Sequence, residues 1–339
     1  MKKLLLCAVT VCLALLLGLG AVTEAGAAYR FRLQSHLPAA DTLYSEYIAK
    51  NLVEKVRAAT DGQVLITAFS GGALVPPPEI FKAVADGVLD MGHNQTGYQS
   101  GIMPSVLVFD GLPMAYRDAT ELLKLINERG LGDILRKEYE KNGVILLAPV
   151  ATDPYTVLSR TPLVTHADWQ GIKVRGYGIW NKFFGLLDAS PVEMPLTETY
   201  LGLAMGTVDA CVTGISPLYL LKFYETCKHG VWPPMAGTAL QSVYINPKVW
   251  SQLPKDLQEK MTKALQEWAD ETNFALHADA VVAKQALEDN GVIFAPTDQE
   301  WIMQRAQVLW QDIAAADEAS AQAIEIITNY LREVGVINN

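Results

Sequence analysis

The feature that most limits how this chain can fold is a regular exchange between two hydrophobic periods. Tyr29, Phe31 and Leu33 alternate with Arg30, Arg32 and Gln34, the two-residue repeat of a half-buried strand. Asp41 then stands where a cap belongs, ahead of a helical pattern over 41–59 that aligns Leu43, Tyr47, Leu52 and Val56. A second strand is predicted over 63–69, followed by a turn at Ser70-Gly71-Gly72. A short helix over 79–86 is entered through Pro76-Pro77-Pro78, and a third strand follows over 88–93. Strands separated by helices imply crossovers, hence a mostly parallel sheet with helices on its faces.

The exchange continues. A long helix is predicted over 118–141, a buried strand over 143–149, and strands over 155–159 and 172–175 flanking a turn at Arg160-Thr161-Pro162. A helix over 182–187 leads to a strand–helix–strand unit over 190–194, 197–205 and 208–213. A helix over 217–227 and a strand over 239–245 complete this half. From Pro254 the pattern changes to one long, charge-rich amphipathic helix over 255–290, a short strand over 292–295, and helices over 298–314 and 318–334. This last third carries few turn signals and no evident site, and is expected to brace the rest. A chain of this length exceeds one ordinary core, and half of its residues are apolar, enough for two. The expected organisation is a first α/β lobe over 28–150, a second over 151–250, and a helical brace over 251–339.

The N-terminus reads as an export signal. Lys2 and Lys3 precede an uncharged apolar run over 4–20, and Ala25-Gly26-Ala27 fits a small-residue cleavage site, so 1–27 is expected to be removed. Cys7 and Cys12 lie inside the run, where they do not mark a lipid anchor. The exported chain is expected in a periplasm or outside the cell. Without Lys2, Lys3 and Glu24 the chain keeps 25 basic and 36 acidic residues, a formal charge of −11. Such a chain repels nucleic acid and anionic lipid, so an anionic ligand needs a local positive group. Two cysteines remain, Cys211 and Cys227; a disulfide and two buried small hydrophobes are both compatible with export. No metal-binding cluster is evident, and no metal or cofactor is expected.

Several segments resemble one family. They are Phe81-Lys82-Ala83-Val84-Ala85-Asp86-Gly87-Val88-Leu89-Asp90-Met91, Asp168-Trp169-Gln170-Gly171-Ile172-Lys173-Val174-Arg175, and the Glu198-Thr199-Tyr200 to Gly206-Thr207-Val208-Asp209 run, supported by Phe223-Tyr224-Glu225 and by Trp250 with Leu253-Pro254. In order and spacing they resemble the DctP-type extracytoplasmic solute receptors of tripartite ATP-independent periplasmic (TRAP) transporters, over nearly the whole exported chain. The resemblance implies a two-lobe, class II-like α/β periplasmic binding protein with a long bracing helix. It implies a receptor rather than an enzyme, a small organic acid as ligand, and two membrane permease subunits as partners. The protein is expected to act as a monomer.

The resemblance also assigns candidate ligand-binding residues. Arg175 matches the arginine that grips the ligand carboxylate in the family. A guanidinium offers parallel donors, keeps its charge when buried and matches carboxylate geometry; the alternative is an ion pair with a neighbouring acid. Thr213 stands where many relatives carry a pocket asparagine or tryptophan, and Val212 where metal-assisted relatives carry a glutamate, which valine cannot replace as a ligand. Tyr155 begins the strand facing the cleft, or packs between lobes. Tyr177 and Trp180 follow Arg175 and either stack on the ligand or pack under a helix. Asn94, Gln95 and Thr96 end the third strand at the mouth of the first lobe, and His36 ends the first strand. Phe69, Trp180 and Phe184 suggest a partly apolar pocket. These substitutions favour a monocarboxylate with an apolar or aromatic body. Three other readings remain: a binding protein of an ATP-driven importer, a receptor presenting ligand to a sensor kinase, and a secreted hydrolase. No Gly-x-Ser-x-Gly, His-Glu-x-x-His, P-loop or dinucleotide fingerprint supports the last.

Overall fold

The computed structural model describes residues 28–338. The expected signal segment, 1–27, lies outside the described residues. Eleven strands are described: β1 (Tyr29–Ser35), β2 (Val64–Phe69), β3 (Met91–Gln95), β4 (Ile145–Ala151), β5 (Tyr155–Ser159), β6 (Lys173–Gly176), β7 (Ser190–Glu193), β8 (Ala210–Gly214), β9 (His229–Val231), β10 (Leu240–Ile245) and β11 (Ile293–Ala295). They form two mixed sheets, ordered β2-β1-β3-β10-β4 and β11-β9-β5-β8-β6-β7. β1 runs parallel to β2 and β3, as the crossovers require, and β10 is inserted antiparallel between β3 and β4.

The position of β10 corrects the expected organisation. This strand was expected to close the second lobe at 250, but it returns to the first sheet. All six of its residues are buried, so no polar face in the sequence reveals which sheet it joins. The helix expected over 118–141 is two helices, Ala119–Glu128 and Leu131–Lys141, broken at Gly130 with φ +88°. The helix expected over 217–227 stops at Leu220 and is followed by a single 3-10 turn, Phe223–Glu225. The helical run after Asp41 begins with wider, π-type winding over Leu43–Leu52, and the Asp41 carboxylate accepts the Leu43 N–H at 2.9 Å.

The brace is as expected. The helix Lys255–Asp289 spans 35 residues, about 50 Å at the usual rise per residue. Its first half buries Leu257, Met261, Leu265 and Trp268 in the core of the first lobe, with Leu33, Ile48 and Val243. Its second half buries Ala280, Ala283 and Leu287 in the core of the second, with Leu158, Ile215 and Phe223. The last helices, Gln299–Ala314 and Glu318–Glu333, join a third apolar cluster that takes residues from both lobes, among them Phe109, Tyr116, Trp169 and Trp180. Trp310 Nε1 donates to the Pro113 carbonyl at 3.0 Å and pins this end to the first lobe. Cys211 and Cys227 are free and buried.

Candidate ligand-binding site

The motif ending in Arg175 is first a device for placing that residue. The Asp168 carboxylate accepts N–H bonds from Thr165 (2.7 Å) and Val164 (3.0 Å), capping the short helix His166–Trp169. Trp169 is fully buried and donates to Thr297 Oγ1 at 3.1 Å. Gly171 turns the chain at φ +71°, a conformation that glycine adopts without strain, and β6 follows. The second motif locks onto the first. Asp209 Oδ2 accepts the Lys173 N–H at 3.1 Å, the Asp209 N–H returns a bond to the Lys173 carbonyl at 2.7 Å, and Lys173 Nζ reaches the Gly206 carbonyl at 2.9 Å. The two segments that most resemble the family therefore hold β6 against β8.

Arg175 is 5 % exposed. Its Nε donates to the Met194 carbonyl at 3.0 Å and its Nη1 to the Val212 carbonyl at 3.1 Å. Its guanidinium lies 5.4 Å from the Tyr177 ring centroid. Among the described residues no carboxylate forms an ion pair with it; Glu193 bonds Asn181 instead, at 3.4 Å. Burial lowers the Arg175 pKa from its ordinary value. Two of the five N–H donors are occupied by the backbone, and three, on Nη1 and Nη2, remain. A fixed, desolvated cation with free donors suits an incoming carboxylate.

Pairing sorts the other candidates. Arg175 pairs with Cys211, and side chains alternate along β8, so Arg175, Cys211 and Thr213 share one face. Thr213 is buried and follows Val212, whose carbonyl accepts from Arg175. Tyr155 lies on the opposite face and stacks on Trp180, with centroids 6.1 Å apart and planes 11° from parallel. Burial raises the pKa of both Tyr155 and Tyr177; the two phenols also shift one another, with Asp110 raising and Arg175 lowering them. Trp180 and Phe184 are fully buried and pack against each other and Phe183 in the third apolar cluster. Val212 also lies in the core.

On the first lobe the placement differs more from expectation. Asn94 is fully buried, its Nδ2 donating to the Pro77 carbonyl at 3.1 Å and its Oδ1 accepting from Tyr244 at 2.9 Å, so its polar atoms are engaged internally. Thr96 is likewise buried and donates to the Leu240 carbonyl at 3.0 Å. Gln95 is the half-exposed member and donates to Asp110 Oδ1 at 2.8 Å. His36 lies between the His93 and Tyr98 rings, 5.4 and 5.6 Å away, and burial lowers its pKa to about 4, so the ring is neutral near neutral pH. Phe69 is half-buried at the end of β2. A cavity of about 270 Å³ is lined by Thr152, Pro154, Trp232, Asn273, His277 and Lys284 among others, and does not include Arg175.

Sequence reasoning missed Asp110. It is 4 % exposed, and burial pushes its pKa up to about 7 against the bonds from Gln95 and the Gly97 N–H. Its folded pKa lies above its unfolded one, so the folded state holds the extra proton between the two values and loses stability as pH rises through that window. Asp110→Asn removes this cost. The melting point of the variant, relative to the native protein, is expected to rise between pH 4.5 and pH 8, corresponding to about 2–4 kcal/mol at the upper end. A difference independent of pH would place the carboxyl in water.

The family model for bacterial extracellular solute-binding proteins, family 7 (DctP), matches residues 34–317. A monocarboxylate 2-oxoacid-binding periplasmic protein of Nostoc sp. is 28 % identical over 295 residues, covering 82 % of this chain and 78 % of that one. The C4-dicarboxylate-binding periplasmic protein DctP of Rhodobacter capsulatus is 26 % identical over 284 residues, covering 82 % of each. A crystal structure of a TRAP periplasmic solute-binding protein from Ochrobactrum anthropi matches with a TM-score of 0.81 at 21 % identity, covering 92 % of this chain and 97 % of that one, a likeness of fold. With the family model spanning most of its length and both lobes and the brace in place, the chain belongs to the DctP family of solute receptors of TRAP transporters, proteins that bind substrates rather than transform them.

Proposed function

We propose that the protein is a periplasmic receptor that takes up a small organic acid in the interlobe cleft and delivers it, as a monomer, to the membrane subunits of a TRAP transporter. The observation that carries this reading is Arg175, buried, fixed by two backbone carbonyls and without an ion-pair partner among the described residues. The ligand it fits is a monocarboxylate with an apolar or aromatic body. The surroundings support this: Tyr177 offers a ring face 5.4 Å from the guanidinium with one polar tip, and Thr213 a small polar wall. The named ligands of the two relatives, a 2-oxo monocarboxylate and a C4-dicarboxylate, bracket the choice.

A thermal-shift screen of the exported protein against small carboxylates, with sugars and amino acids as controls, tests the reading. Binding to the native state alone stabilises it by mass action, about 2.7 kcal/mol at a hundredfold excess over Kd, and so raises the melting point. Monocarboxylates with apolar bodies are expected to raise it more than dicarboxylates of similar size. A response to sugars alone would overturn the assignment.

A further inference from the structure

Two connections pass from one sheet to the other. Thr152-Asp153-Pro154 joins β4 to β5, and residues 232–239 join β9 to β10. They pair with each other: the Thr152 N–H donates to the Ala239 carbonyl and the Tyr155 N–H to the Ala236 carbonyl, both at 2.8 Å. The first lobe contacts this pair. The Gly237 N–H donates to the Tyr116 carbonyl at 3.0 Å, and a side chain at Gly237 would collide with the Arg117 and Asp118 backbone. The bracing helix supplies the remaining wall of the cavity of about 270 Å³ described above. Asn273, His277, Ala280 and Lys284, spaced four, three and four residues apart, turn one face of that helix to the cavity. Val281 lines it too and is 60 % exposed, so the cavity opens to solvent.

The polar groups of this wall that remain to be used are donors. Asn273 Oδ1 accepts the Ala151 N–H at 2.8 Å, which leaves its Nδ2 amino group to donate. Lys284 Nζ lies 2.6 Å from Glu288 and 5.2 and 5.1 Å from the Trp232 and Phe294 ring centroids. The lining acids are engaged: Glu288 by Lys284, and Asp118 as the cap that accepts the Glu121 N–H at 2.9 Å. The Lys284 and Glu288 side chains are 25 % and 37 % exposed. A pair that open to water contributes little, so exchanging Glu288 for another anion costs little. A cation would instead meet an ammonium already seated on the rings. Pro154, Trp232, Ala280 and Val281 make much of the wall apolar, and an unfilled apolar void forfeits dispersion contacts. The volume equals that of about nine liquid waters, room for a fused bicyclic ring.

We propose that the cavity between the two connections and the bracing helix is a second small-molecule site, for a flat aromatic anion, with Lys284 and Asn273 holding the charged end and Trp232 and Val281 the ring. An occupant touches the first lobe at Arg117 and Ala119, the connections at Pro154 and Trp232, and the brace. These are the parts that a movement of one lobe against the other displaces. The site does not depend on Arg175 as the carboxylate site.

Isothermal titration of the exported protein with naphthalene-2-sulfonate tests this, with the neutral naphthalene-2-sulfonamide, of the same size, beside it. One sulfonate per chain is expected, with a Kd on the order of 0.1–1 mM for a ligand of about fourteen non-hydrogen atoms. The sulfonamide is expected to bind about fivefold more weakly or worse. Val281→Trp adds bulk at an exposed position of the lining and is expected to weaken sulfonate binding about tenfold or more. If that variant fails to melt cooperatively, Gln285→Trp, also lining and exposed, supplies the same block. Lys284→Gln is expected to abolish the preference for the sulfonate. Arg175→Ala and Phe274→Ala are the controls, and both are expected to bind the sulfonate as the native protein does; Phe274 is 79 % exposed and outside the lining. Loss in Arg175→Ala would place the probe in the interlobe cleft, and loss in Phe274→Ala on open surface; either overturns the site. So does binding that survives the tryptophan block, equal binding of the sulfonamide, or no sulfonate binding up to about 10 mM. The receptor reading is judged separately, by small-carboxylate binding that is lost in Arg175→Ala.

Discussion

Arg175→Ala is expected to weaken binding of the carboxylate ligand by more than about 2 kcal/mol, roughly thirtyfold. The size follows from the surroundings of the guanidinium. It is already out of water and its pKa is lowered by that burial, so its charge is poorly compensated before ligand arrives. A carboxylate that enters accepts charge-assisted bonds from donors already fixed in place by Met194 and Val212. Little rotamer entropy remains to be lost on binding. Arg175→Lys separates charge from geometry. An ammonium cannot serve two backbone carbonyls and a planar carboxylate together, so the lysine variant should recover only part of the affinity. The alanine variant also leaves the Met194 and Val212 carbonyls without their donor, so its unliganded melting point is needed to separate lost binding from lost stability. Near-native affinity in a well-folded Arg175→Ala protein would remove Arg175 from the site.

The second lobe was more legible in the sequence than the first, for a local reason. The residues that place Arg175 are neighbours in sequence or belong to the paired segment around Asp209, and each has a signal: a cap at Asp168, a turn glycine at Gly171, a terminating glycine at Gly206. On the first lobe the candidates depended on parity along one strand. β3 ends at Gln95 rather than at His93, and a single residue decides whether a side chain faces the sheet end or, like Asn94, turns to Tyr244. Asp110 carried no signal, because one acid in an irregular segment reads as solvent-facing until its neighbours are known. Its side-chain partner, Gln95, lies 15 residues away on another element. The same limit hid β10: an all-buried strand fits either sheet, and only long-range pairing with His93 and Ala148 decides. The bracing helix was legible because an amphipathic pattern sustained over 35 residues has few alternatives.

Trp180→Ala is expected to destabilise the protein by about 3–5 kcal/mol, the range for deleting a buried large aromatic side chain. The ring is fully buried and touches three others: Tyr155 stacked, Phe183 edge-on and Phe184 tilted. Alanine leaves a void between the second-lobe sheet and the turn at Gly111, two surfaces drawn from different lobes, so neither can collapse into it without moving the other. Trp180→Phe should cost much less than the lost volume suggests. Among the described residues Trp180 Nε1 is a buried donor with no partner, and phenylalanine removes that unsatisfied group while keeping a six-membered ring. Chemical denaturation of both variants, read beside ligand titration below their melting points, distinguishes a core residue from a ligand contact. A core residue loses stability first and binding only through displacement of Tyr155. Native stability with abolished binding in Trp180→Ala would instead put this ring on the ligand, and would move the apolar wall of the cleft from the tyrosines to the helix behind them.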